Sequence, residues 1–287
     1  MTSHDVVSRV RKLAGTRKVG HAGTLDPMAT GLLVVGLNGA TRLLTYLVGL
    51  DKEYLATIRL GGSTPTDDAD SPVDVVADPK RLAEVTVDAV EDAIRGLTGE
   101  ISQVPSAVSA IKVDGRRSYE RVRAGEEVEL AARTVTISAF DVLAVHRAEF
   151  FDVDVRISCS TGTYVRALAR DLGSGLGVGG HLVALRRTRV GPFGVADAKP
   201  LEDISIERDL AAPADIARAL FPVLELTEQQ SIDLGHGKTV TAGDPGHPAS
   251  TGPIAAIAPD GRLVGLVAIS NGTVSPVINF PPDSEQQ

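Results

Sequence analysis

Between Lys18 and Gly31 the chain packs three glycines (Gly20, Gly23, Gly31), His21, Asp26 and Pro27 into fourteen residues. Glycines let backbone approach a ligand closely, and a carboxylate at a tight turn is held in place rather than left waving in solvent. A held carboxylate can serve as a nucleophile or as a general base. Taken alone, an aspartate before proline also reads as a helix cap, and His21 as an ordinary polar loop histidine. The familiar alternatives are missing from the sequence: the six histidines do not sit at metal-ligand spacing, and neither a Gly-x-Ser-x-Gly elbow nor a Gly-x-x-x-x-Gly-Lys-Thr loop occurs. Metal-hydrolase and nucleotidase chemistry is disfavoured accordingly.

Two basic clusters are the other candidates. Lys112, Arg116 and Arg117 flank an Asp114-Gly115 turn signal, and Arg186, Arg187 and Arg189 lie together further on. Phosphate contact is the functional reading, a solvated face the plain one. Across 287 residues the net charge is −8, which taken whole argues against a polyanionic partner. The average hides a mosaic: segments 1–60, 101–125 and 161–194 carry +4, +3 and +4, and the remainder carries −19. Arginine outnumbers lysine 22 to 7, a preference suited to gripping phosphates but also to a GC-rich genome.

The elements that must position these residues follow from periodicity. Residues 4–14 read as an amphipathic helix with Val6, Val10 and Leu13 on one face, ending near Gly15. Residues 20–24 read as a glycine-punctuated loop, and Asp26-Pro27 opens an apolar stretch, Met28 to Leu37, suited to a helix or turn start. Tyr54 to Leu60 and Val153 to Cys159 are strand patterns, and Thr163 to Leu172 a strand end passing into a helix. Residues 61–80, rich in Asp, Thr, Pro and Gly, read as an acidic surface excursion. Val87, Val90, Ile94 and Leu97 recur at helical spacing, and a short helix is expected around Tyr119 to Ala124. Beyond about Pro222 short strand candidates with few helical patterns suggest a small β-rich appendix.

Composition sets the class. Hydrophobic residues at 43% and charged residues at 23% are ordinary for a globular chain, and no apolar run approaches the roughly 20 residues needed to span a bilayer. No apolar leader follows Met1. A single cysteine, Cys159, excludes an intrachain disulfide and a multi-thiolate zinc site, which fits a reducing cytoplasm.

The Lys18–Gly31 stretch resembles the catalytic motif of the TruB family of bacterial tRNA pseudouridine synthases. The family pattern Gly-His-x-Gly-x-Leu-Asp-Pro-x-Ala-x-Gly is matched at Gly20, His21, Gly23, Leu25, Asp26, Pro27, Ala29 and Gly31. Asp51 to Tyr54, Gln103 to Lys112, Ser160 to Arg166 and His181 to Arg187 resemble further family segments in the same order, so the resemblance spans residues 2 to about 194. The three basic segments carry these motifs.

The resemblance implies an α+β fold, with a mixed, mainly antiparallel sheet flanked by helices over residues 1–221 and a small β-rich, PUA-like RNA-binding domain over 222–287. It implies isomerisation of uridine 55 in the tRNA T-loop to pseudouridine by a monomer, with no metal and no cofactor, because the reaction involves neither redox change nor group transfer. By resemblance Asp26 is the catalytic carboxylate, Arg166 its ion-pair partner and Tyr54 the aromatic stacked on the target base. Tyr164 and Leu185 would wall the pocket, His21 would occupy the space left by the flipped nucleotide, and Lys112, Arg116, Arg117, Arg186 and Arg187 would meet RNA phosphates. Family members start with a Lys-Pro-x-Gly strand ahead of the Thr-Ser matched at Thr2-Ser3, and that strand is expected to be missing here. Two other readings remain at this point: a tRNA-binding chaperone without chemistry, and an unrelated hydrolase using Asp26 and His21.

Overall fold

Val153, Val155, Ile157 and Cys159 alternate with Asp154, Arg156 and Ser158, a period of two that puts the four apolar side chains on one face of a strand. In the computed structural model, which describes residues 1–107, 112–113, 116–117, 130–242 and 252–281, this strand runs Phe151–Cys159 and buries all four. It lies inside a seven-stranded sheet of order Phe193–Gly194, Gly180–Val190, Lys52–Leu60, Phe151–Cys159, Arg133–Arg147 and Gly99–Gln103, with Thr30–Gly31 added alongside Gly180–Val190. Every pairing is antiparallel except that of Thr30–Gly31, which runs parallel at Arg186 and Arg187. The class is α+β with a mixed, mainly antiparallel sheet, as the resemblance implied.

The chain divides into two compact units. Apart from Met1, the first comprises residues 25–32 and 48–198, the second 2–24, 33–47 and the described residues from 199 onward.

In the first unit the helices Val87–Gly96 and Val165–Gly175 present Val90, Ile94, Leu168 and Leu172 to a core shared with Ile58, Val153, Val155 and Leu182. Full burial of side chains of this size is worth roughly 1.5–3 kcal/mol each. Gly173 lets the second helix approach the sheet, since a Cβ there would lie 2.1 Å from the Gly180 nitrogen.

Of the helix or turn start expected at Asp26-Pro27, the turn is what forms: residues 27–28 turn, and two strands follow, Thr30–Gly31 and Val35–Leu37. The reason is Gly31, whose φ of +96° suits glycine and breaks a right-handed helix. Residues 61–80 are no plain surface excursion, because Thr64, Asp67 and Asp68 are buried at 4%, 9% and 2% exposure. The Asp114-Gly115 turn and the helix expected near Tyr119 lie outside the described residues; Lys112 pairs with Arg117 and Val113 with Arg116 in a two-stranded ladder.

The second unit contains the helix Ser3–Ala14, capped by reciprocal bonds between Thr2 and Asp5 and ended by Gly15 at φ 62°. Val7 and Val10 pack on Val19, Val35 and Leu37, in a pairing of Val19–His21 with Val35–Leu37. Residues 20–24, read as a loop, therefore begin in a short strand. Beyond Pro222 lies a five-stranded sheet of order Val223–Glu225, Ile254–Ile257, Leu263–Ser270, Thr273–Asn279 and Val240–Thr241. The β-rich texture holds, but the pattern missed the helix Glu228–Gly235, whose Thr227–Gln230 capping box is legible in the sequence. No described helix is long and apolar enough to cross a membrane.

Replacing Gly31 with alanine tests the docking of Thr30–Gly31. A Cβ there would sit 2.2 Å from the Arg187 carbonyl oxygen, at a φ that L-residues rarely adopt. Gly31→Ala is expected to cost about 2–4 kcal/mol, read as a lowered urea midpoint with unchanged slope.

Candidate active site

Asp26 opens a reverse turn in which the Ala29 amide donates to the Asp26 carbonyl at 2.9 Å, with Pro27 in the second position that its fixed φ favours. The turn leaves the Asp26 carboxylate free of backbone capping. Both its oxygens accept from Arg166 instead, Oδ2 from Nε at 3.0 Å and Oδ1 from Nη2 at 2.9 Å. The helix-cap reading of Asp26 is thereby replaced by a bidentate ion pair, the strongest geometry for a guanidinium and a carboxylate.

The two partners differ in exposure. The Arg166 side chain is 6% exposed and the Asp26 side chain 31%, so the guanidinium lies within the fold and the carboxylate at its surface. Arg166 is the second residue of the helix Val165–Gly175. Its remaining nitrogen, Nη1, donates to the Thr66 carbonyl at 2.9 Å and lies 3.4 Å from Oδ2 of buried Asp68. Asp68 Oδ1 in turn accepts from the Thr66 hydroxyl at 2.5 Å and the Asp70 amide at 3.0 Å. One turn along the helix, Arg170 pairs with Asp67 at 3.2 Å and donates to the Val104 carbonyl at 2.7 Å. Burial pushes the Asp67 carboxyl above its ordinary value, opposed by the Ser106 hydroxyl and by Arg170.

Tyr54 lies on the strand Lys52–Leu60, across from Ile157 on one side and Arg187 on the other. Burial raises its phenol above the usual range, while the charge and hydrogen bond of Arg187 pull the other way, and the Asp26 charge adds to the rise. The structure therefore brings Asp26, Arg166 and Tyr54 together in one unit. Leu185 is buried at 6% on the Gly180–Val190 strand, where its carbonyl meets the Thr30 hydroxyl at 3.5 Å. Tyr164, half-buried, caps the Arg166 helix, and the Arg133 guanidinium stands 5.6 Å from its ring centre.

Other expected residues lie on other elements. His21 closes the strand Val19–His21 in the second unit, paired with Val35. Lys112, Arg116 and Arg117 lie on the short ladder already described. Arg186 is exposed, with Nη1 3.4 Å from the Thr30 hydroxyl. Arg187 corrects the reading: at 1% exposure it is no solvated phosphate contact. Its Nε donates to the Leu32 carbonyl at 2.8 Å, and its own carbonyl accepts from the Leu32 amide at 2.8 Å. Neighbours on a strand face opposite ways, and Arg187 drew the inward face.

The sequence reading missed Asp67, Asp68 and Gln103 as parts of this arrangement. The signal available was chemical: two adjacent carboxylates in a chain whose basic segments are short of acids. Among the described residues, no group of three or more His, Cys, Asp or Glu side chains could hold a metal ion. Lys52 and Cys159 lie on adjacent strands and face each other in the sheet register. Lys52 Nζ donates to the Val48 and Leu50 carbonyls at 2.6 Å each, and burial lowers its pKa.

Residues 11–165 match the model of the TruB family pseudouridylate synthase N-terminal domain. Residues 166–225 match a tRNA pseudouridylate synthase B C-terminal domain, and 221–281 the C-terminal domain of tRNA pseudouridine synthase II. The chain is 57% identical over 283 residues to tRNA pseudouridine synthase B of Leifsonia xyli, covering 98% of this chain and 93% of that protein. It is 51% identical over 284 residues to the protein of that name from Thermobifida fusca, covering 97% and 94%. Among solved structures it resembles a chain of a Cbf5-Nop10-Gar1 complex, at a TM-score of 0.71 and 25% identity, over 99% of this chain and 83% of that one.

Burial pushes the Cys159 thiol from its ordinary 9.0 up to about 11. Folding thus holds the thiol proton, so its contribution to stability is complete below pH 9.0 and falls as pH rises toward 11. Iodoacetamide at pH 8 is expected to label the native chain at well under a tenth of the rate seen in denaturant. Mass spectrometry of the intact protein measures it.

Proposed function

Because the chain belongs to the TruB family of pseudouridylate synthases, its reaction is the isomerisation of uridine 55 of tRNA to pseudouridine, and we propose that Asp26 is the carboxylate that carries it. The observation behind this assignment is the bidentate pair itself: a buried guanidinium presenting a partly exposed carboxylate. The reaction breaks the glycosidic bond from N1, turns the uracil while it is still bound, and joins C5 to the sugar. An ionised carboxylate at the sugar serves this chemistry as a nucleophile at C1′ or as a base at C2′.

Tyr54 stacks on the target base in this reading, and its half-buried phenol stays protonated at neutral pH. At the last step the acceptor of the C5 proton is the Tyr54 phenolate, formed by loss of its own proton to solvent and favoured by the Arg187 guanidinium beside it; taking the C5 proton returns it to the phenol. Leu185 and Tyr164 form the pocket wall. His21 takes the place of the extruded nucleotide, offsetting an unstacking cost of a few kcal/mol.

Phosphate contacts fall to Lys112, Arg116, Arg117 and Arg186, on an RNA substrate whose T-loop carries the target. The second unit adds an exposed run, Arg9, Arg11, Lys12, Arg17 and Lys18, in a stretch from Val6 to Leu25 that holds no acidic residue. Each phosphate contact should steepen the log–log salt dependence of binding by somewhat less than ~1 unit. The division into a catalytic domain at 1–221 and a PUA-like domain at 222–287 belongs to the same proposal, as do a monomeric state and cytoplasmic residence.

An unmodified tRNA transcript treated with the protein and probed by carbodiimide-adduct primer extension should show a stop at the T-loop uridine. Asp26→Asn should abolish the stop while filter binding of the transcript stays within about threefold. Retained binding without a stop in the wild type would favour the chaperone reading. Tyr54→Phe should keep binding and lower the single-turnover rate by at least ~100-fold, a loss in the range set by removing a proton-transfer group.

A further inference from the structure

Tyr164 is an unusual residue to start a helix. The N-cap position favours Ser, Thr, Asp or Asn, whose side chains accept from the first free amides, and Tyr164 makes no such bond. A capping box would normally satisfy the N-cap amide with a Glu or Gln three positions on, but Ala167 stands there. The missing group arrives from 61 residues away. Gln103 Oε1 accepts from the Tyr164 amide at 2.8 Å, and Gln103 Nε2 donates to the Tyr164 carbonyl at 3.1 Å.

Gln103 is fully buried, and it ends the strand Gly99–Gln103, where it pairs with Arg133. Its side chain therefore has a fixed base and spends both ends of its amide on one residue. That residue lies two positions before Arg166, whose fork holds Asp26. The next residue, Val104, takes the Arg170 guanidinium on its carbonyl, so the end of one strand grips the helix at its cap and one turn further in.

We propose that Gln103 is a positioning residue for the isomerisation: its carboxamide caps the Arg166 helix from across the fold and sets the angle at which the guanidinium meets Asp26. This rests on the assignment of Asp26 and Arg166 above. Gln103 touches neither substrate nor reacting atoms in this scheme. Its effect passes entirely through Arg166, and a mutant cycle separates that from a general packing role.

Gln103→Met keeps the volume and removes both bonds; Gln103→Glu keeps the acceptor for the Tyr164 amide and removes the donor. Single-turnover pseudouridine formation is measured for each variant, in the wild-type background and in Arg166→Lys, with tRNA binding measured in parallel. The expected result is a rate at least tenfold lower for Gln103→Met in the wild-type background, with KM and binding within twofold, and less than a twofold effect in Arg166→Lys. Gln103→Glu is expected to fall between Gln103→Met and wild type, and it carries the same two-background comparison if Gln103→Met does not fold. Equal losses in both backgrounds, a loss appearing in KM alone, or a rate within twofold of wild type would overturn the proposal. Failure of the wild-type chain to form pseudouridine would instead overturn the reading on which it rests.

Discussion

A guanidinium that is almost wholly buried cannot be left without anions, since the effective penalty for burying a charge is several kcal/mol. Arg166 is in that position, and much of the first unit can be understood as its compensation. Asp26 supplies two oxygens, Asp68 a third, and the Thr66 carbonyl a fourth acceptor. Two stretches far apart in sequence must converge on one helix start for this to happen. Asp67 and Asp68 turn inward because the helix carries two arginines, Arg166 and Arg170, on its first turns.

The same constraint sorts the functional side chains by exposure. The buried cation orients the carboxylate, and the carboxylate stays partly exposed. Tyr54 and Arg187 are arranged similarly one strand pair away: the arginine is buried and the phenol half-buried, so a polar group within the fold tunes one at its margin. Arg187 holds its strand position through the Leu32 carbonyl, and Gly31 allows that approach because a side chain there would strike the Arg187 backbone. Thr30–Gly31, Arg187 and Tyr54 are thus linked mechanically to the turn that carries Asp26.

Several elements were legible in the sequence because their signals are local. The helix Ser3–Ala14 carries its cap and its glycine stop within its own residues, and the alternation of Val153 to Cys159 states which face is buried. The fourteen-residue motif offered Asp26 as the candidate carboxylate. Other elements were left open or misread for equally physical reasons. Asp26-Pro27 before an apolar run suits a helix or a turn start, and Gly31 at positive φ with the β-branched Val34 and Val35 decides for turn and strand. Acidic residues at 67 and 68 look like surface until their partners, about a hundred positions later, are placed beside them.

By itself the sequence supplied the candidates: Asp26 from a motif of eight matched positions, and Tyr54 and the arginines from the further family segments, because such motifs constrain residue type directly. Only the tertiary structure decided what each cation does. Arg186 and Arg187 are adjacent and chemically identical, yet one faces solvent and the other lies against Tyr54. Strand geometry guarantees that neighbours point opposite ways, but which of them faces inward depends on what the sheet packs against, and that is assembled from residues more than a hundred positions away.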